Sequence, residues 1–147
     1  MALSGMQDYT KLLVWQRARS LTVVVNEVSR SFKAGEAPGL RSQLMRATMS
    51  ISATVAEGAG RETRQDFARF ISMAIASASE VEHHLHVASD LGILAEPVYG
   101  RVLGRCIEVR RMLFGLHKAL LRAEMDGQTS PRADVGGAPP TPSAKTR

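Results

Sequence analysis

Apolar residues recur at helical spacing in four successive stretches of this chain, which leaves little room for anything but helices. In the first, Val14, Ala18, Leu21, Val25, Val28 and Phe32 are separated by 4, 3, 4, 3 and 4 positions. That is a heptad seam along one side of a helix. Leu13, Trp15 and Val24 lie beside the seam and widen it into the broad face of a bundle helix. Gly35 and Pro38 are expected to break the pattern.

The second stretch begins near Gly39 and carries Leu40, Leu44, Ala47, Ile51 and Val55 at the same spacing. Around them lie small residues (Ser50, Ser52, Ala53, Thr54 and Ala56) that allow a neighbouring helix to come close. The run Ala56-Glu57-Gly58-Ala59-Gly60-Arg61 then reads as a corner, with Gly58 and Gly60 as turn glycines. Thr63 is the expected cap of a third helix, with Asp66 three residues on placing a carboxylate at the positive helix end. That helix carries Phe67, Ile71, Ala74, Ala78, Val81, Leu85 and Ala88. A second line, Phe70, Ser77, His84 and Leu91, repeats every seven residues beside it. Gly92 suits the C-terminal stop and Pro97 the first turn of a fourth helix. The fourth face is Val98, Val102, Cys106, Val109, Leu113, Leu116 and Leu120.

Four amphipathic helices with short connections predict an all-α fold, an antiparallel up-and-down four-helix bundle. Residues 1–10 are expected as a lead-in, 11–125 as the bundle and 126–147 as a disordered tail. That tail holds four of the six prolines and almost no large aliphatic side chain, too little to offset its ordering entropy. Several helices carry more than one apolar line, and the surplus points to self-association.

Composition agrees with helices and narrows the partners. Aromatic residues make up only 5% of the chain, so short aliphatics must fill the core. A net charge of +5 favours an acidic partner, weakly. The single cysteine, Cys106, rules out an intramolecular disulfide and reads as buried filler on an apolar face. No apolar run reaches the ~20 residues of a membrane span, and the N-terminus lacks the basic and apolar regions of a secretory signal. A cytoplasmic location with no membrane association is therefore expected.

Certain residues, taken in order, resemble a known family. They are Asp8-Tyr9-x-x-Leu12-x-Val14-Trp15-Gln16-x-Ala18, then Gly39-Leu40-x-x-Gln43-x-x-Arg46-Ala47-x-x-Ser50-Ile51, then Val55-Ala56-Glu57-Gly58-x-x-Arg61. Phe67-x-x-Phe70-x-x-x-Ala74-x-x-Ser77-x-x-Glu80 and Ala88-x-x-Leu91-Gly92 follow. Over roughly residues 8–122 the chain resembles the S23, or 23S rRNA intervening-sequence, proteins of bacteria. The resemblance implies a four-helix bundle assembling into a ring-like homopentamer, with no established enzymatic activity. Some members lie within insertions in 23S rRNA genes. More distant relatives are accessory proteins of diversity-generating retroelements, proposed to bind RNA and a reverse transcriptase. Where the family usually has Asn, this chain has Thr54, and His83 and His84 replace residues that are commonly polar and non-histidine.

Arg46, Glu57, Arg61 and Glu80 form the most suggestive polar set. They are expected as paired charges that fix register at a helix–helix or subunit contact, in preference to a ligand site at the corner. Gly58-Ala59-Gly60 lacks the Walker pattern and a preceding strand, so a phosphate loop is not expected. Glu80-x-x-His83, with His84, His86 and Asp90 nearby, supplies one of the two motifs a di-iron bundle needs. A metal-dependent or small-molecule enzyme using Glu80 and His83 is thus a minor alternative, and neither enzymatic activity nor a cofactor is expected. Basic side chains gather on helix four (Arg105, Arg110, Arg111, Lys118 and Arg122), with Arg17 and Arg19 on helix one and Arg61 and Arg64 at the corner. They are the candidate contacts for RNA or DNA, bound without sequence preference because no stacking platform or reader motif is present. The expected reading is a homo-oligomeric scaffold with basic surfaces. A protein-binding adaptor that does not touch nucleic acid is the other alternative.

Overall fold

The computed structural model describes residues 7–33, 35 and 37–128. A 3-10 turn, Tyr9–Lys11, leads into four α-helices: α1 (Leu13–Ser29), α2 (Leu40–Ala59), α3 (Arg64–Asp90) and α4 (Glu96–Gln128). No strand occurs among the described residues. Each helix packs on its chain neighbour and α1 closes the square against α4, which is the antiparallel order the short connections require. Residues 1–6 of the expected lead-in lie outside the described residues. Asp8 accepts hydrogen bonds from the Thr10 amide and hydroxyl, and these hold the 3-10 turn. At the other end the bundle outruns its expected limit of residue 125, because α4 continues to Gln128. Residues 129–147 of the expected tail lie outside the described residues.

Local chemistry sets the helix ends. α1 was expected through Phe32 but stops at Ser29. There the serines offer the backbone other partners: Ser31 donates to the Val28 carbonyl and Ser29 to that of Asn26. The seam also drifts, so that Ser29, not Val28, is the residue fully buried near this end. A 3.6-residue helix cannot hold a strict seven-residue repeat indefinitely without supercoiling. Gly39, at φ 83°, precedes α2 in a left-handed conformation that glycine tolerates at no steric cost. Thr63 accepts from the Asp66 amide at 3.1 Å and starts α3 as expected. α3 ends in a Schellman motif around Gly92, at φ 69°: Ile93 N–H donates to Ala88 and Gly92 N–H to Ser89.

Short aliphatic side chains fill the core. Leu21, Leu44, Ile51, Ile71, Leu85 and Leu113 are sealed from solvent, with Phe67 the one aromatic buried as deeply. Each contributes about 1.5–3 kcal/mol by burial. Polar groups that enter the core are bonded: Thr48 donates to the Leu44 carbonyl at 2.7 Å, and the Cys106 thiol donates to Ala78 across the α3–α4 seam. Among the described residues no buried side-chain nitrogen or oxygen lacks a partner.

The corner differs from its sequence reading. α2 does not end before Gly58 but runs on through Ala59, and Gly58 is buried inside it. Neither Gly58 nor Gly60 has a positive φ, so neither is a turn glycine in the left-handed sense. A Cβ on Gly58 would lie 2.7 Å from Phe70 Cβ and 2.8 Å from Phe67 Cδ2. Gly58 is there for close approach: it lets the end of α2 lie against the two aromatics that open α3.

Candidate functional site

The polar set Arg46, Glu57, Arg61 and Glu80 is not a paired cluster within the chain. All four side chains are exposed, and no ion pair joins any two of them. Helix geometry explains this. Residues 46, 50, 53 and 57 share one side of α2, and 70, 73, 77, 80 and 84 share one side of α3. The two lines meet at the seam where Ser50 and Ser77 hydroxyls are 2.8 Å apart. The charges sit on the outer lip of that seam, where each takes a different partner or none. Arg61 lies over the Phe70 ring at 4.5 Å, a cation–π contact. Glu80 accepts from His84 Nε2 at 3.3 Å. What the four residues share is a surface, the outer face of the α2–α3 seam, where Met49 and Met73 are 50% and 52% exposed.

A second apolar stripe runs along α4. Phe114, Leu121 and Met125 follow one another at spacings of seven and four along α4 and are 48%, 43% and 66% exposed. Phe114 and Leu121 each follow a buried leucine, Leu113 and Leu120, and the rotation of α4 in the bundle leaves them outside. The two patches lie on adjacent sides of the bundle, flanking α3.

The basic residues stand in several different settings. Arg110, at 31% exposure, is held by Glu82 across the α3–α4 seam, Nε to Oε1 2.9 Å. Its charge is shared with a carboxylate on the neighbouring helix, so it also ties α3 to α4. Arg17 lies 3.9 Å from Glu108 and lines a shallow cleft with Arg105 along the α1–α4 seam. Arg19 rests on Trp15 at 5.4 Å. Arg64, half-buried, stands in the first turn of α3. Arg111, Lys118 and Arg122 are exposed at spacings of seven and four, which aligns them along the outer side of α4. None of these three forms an ion pair among the described residues.

The histidines do not converge. His83 is exposed with its ring 5.4 Å from that of His84, and His86 is hydrogen-bonded to the Tyr99 hydroxyl. No group of three or more His, Cys, Asp or Glu among the described residues is placed to hold a metal ion. Burial pushes the Cys106 thiol up to about 12, with the nearby Glu82 carboxylate adding to the effect. No helix among the described residues is long and apolar enough to cross a membrane.

An up-and-down bundle with this seam chemistry defines a class of small helical proteins, and comparison places the chain within it. The family model for the 23S rRNA-intervening sequence protein matches residues 10–115, and the chain belongs to that family. A solved structure of a protein of unknown function from the S23 ribosomal protein family of Bacteroides thetaiotaomicron superposes with a TM-score of 0.67. That likeness, at 20% identity over 72% of this chain and 99% of the other, is one of fold. No curated protein matches.

Proposed function

We propose that this protein is a non-enzymatic scaffold whose copies close into a ring of five and present basic surface to RNA or DNA. The observation that carries the reading is the pair of exposed apolar patches, one on the α2–α3 seam and one on α4. A twofold dimer needs a single self-complementary patch, whereas a ring needs two different surfaces that dock head to tail. Because the patches lie on adjacent sides of the bundle, successive copies turn instead of running on in a straight line. The count of five rests on the family resemblance. Arg46, Glu57, Arg61 and Glu80 border the first patch, where Glu57 and Arg61, which form no ion pair among the described residues, can find partners on the next copy.

The nucleic-acid half of the reading is supported by the line Arg111, Lys118 and Arg122 and by Arg17 and Arg105 on the α1–α4 side. In a ring each such line is repeated, and phosphate contacts add across copies. A cytoplasmic setting belongs to the same reading. The adaptor alternative uses the same ring without nucleic acid. Light scattering on the purified protein tests the assembly, with about five chains expected. Titration with structured RNA at rising salt separates scaffold from adaptor: affinity that falls steeply supports the scaffold, and no binding at low salt supports the adaptor.

A further inference from the structure

We infer that the end of the bundle opposite the Gly58 corner holds a binding site for a small amphiphilic anion, one acidic head on a short apolar body. A cavity of about 710 Å3 opens there, where the end of α1, the first half of α2 and the α3–α4 connection meet. Its volume lies in the range of small-molecule sites, about 300–1,000 Å3. Phe32, Met45 and Ile93 supply apolar wall, and the flexible thioether of Met45 adapts to a ligand's shape. Three cations, Lys33, Arg41 and Arg46, stand around it, and no acidic residue lines it among the described residues.

Among the described residues little compensates these charges. Lys33 and Arg46 make no ion pair among the described residues, and Arg41 is fixed by a single neutral bond, Nη2 to Asn26 Oδ1 at 3.1 Å. Three like charges around one concavity repel one another, and an anion bound among them relieves that repulsion and accepts from the N–H donors that the cations keep free. An inorganic anion would use the cations and leave the apolar wall wet. An uncharged alkane would do the reverse. A ligand that joins both chemistries uses the whole cavity.

Isothermal titration of the full-length protein with decanoate, decyl phosphate, decanol and acetate tests the site. Decanoate or decyl phosphate, whichever head is preferred, should bind at least about tenfold more tightly than decanol or acetate. Lys33→Ala/Arg46→Ala should weaken that binding about tenfold, and Lys11→Ala, at the far end of α1, should leave it unchanged. Because Arg46 also borders the α2–α3 patch, the mass of the double variant is measured alongside. If its assembly is altered, Lys33→Ala alone decides, with about a threefold to fivefold weakening expected. Equal affinity for decanol and decanoate, no binding by either acid, or unchanged affinity in the deciding variant would overturn the proposal.

Discussion

Gly58 and Phe70 are in such close register that a Cβ on the glycine would sit 2.7 Å from the Cβ of the phenylalanine. Backbone here meets side chain with no space between them, and the α2–α3 corner is built on that contact. Alanine is the better helix former by about 1 kcal/mol, yet Gly58→Ala should destabilise the protein by about 1–3 kcal/mol because neither aromatic can withdraw without disturbing the core. Gly115 lies in α4 with nothing within 4 Å of a Cβ. Gly115→Ala should therefore stabilise by about 0.5–1 kcal/mol. Chemical denaturation of the two variants checks the contrast, and equal effects would refute the packing role.

Arg110 and Arg111 are adjacent in sequence but differ in role. Removing Arg110 strands the Glu82 carboxylate, which is only 17% exposed, on the α3–α4 seam. Arg110→Ala should cost about 1–2 kcal/mol of stability, whereas Arg111→Ala should change it by less than about 0.5 kcal/mol. Thermal denaturation distinguishes them.

RNA binding should divide the other way. Arg111→Ala/Lys118→Ala/Arg122→Ala removes three exposed cations per chain and should lower both the affinity for structured RNA and the steepness of its salt dependence. Filter binding at several salt concentrations measures both. A slope that stays at the wild-type value would remove the α4 line from the proposed surface.

Cys106 gives a prediction with a definite sign. Its folded thiol titrates near 12, above the ordinary 9.0, because burial disfavours the thiolate. Between those values the unfolded chain gives up the proton and the folded chain keeps it, so the unfolded state binds fewer protons and stability falls as pH rises. The decline from this one group approaches about 1.4 kcal/mol per pH unit. Cys106→Ala should show a shallower loss of stability above pH 9. The native thiol should also resist a thiol reagent at neutral pH and react once per chain in denaturant.

Much of the fold is legible in the sequence because it rests on periodicity and caps. The buried lines of α2 and α3, the Thr63 cap and the Gly92 stop all follow from spacing and from the few residues that suit such positions. What is not legible depends on helix rotation and on distance. Nothing local marks Gly58 as a contact glycine in place of a turn glycine, since the deciding atoms belong to Phe67 and Phe70. Likewise Arg46 and Glu80 stand near the right level on neighbouring helices to pair, yet both point outward from the seam. Glu82 and Arg110 carry no sequence signal at all and do meet. The cavity at the other end is assembled from three separate segments, and a single-segment pattern cannot reveal it.

The assembly is tested most directly by light scattering on the wild-type protein beside Met49→Lys/Met73→Lys, with circular dichroism to show that both remain helical. The wild type should give a concentration-independent mass of about five 15.9 kDa chains, and the variant, with charge placed on the α2–α3 patch, should fall toward a single chain. A wild-type protein that is monomeric, or a folded variant that keeps the full mass, would contradict the account.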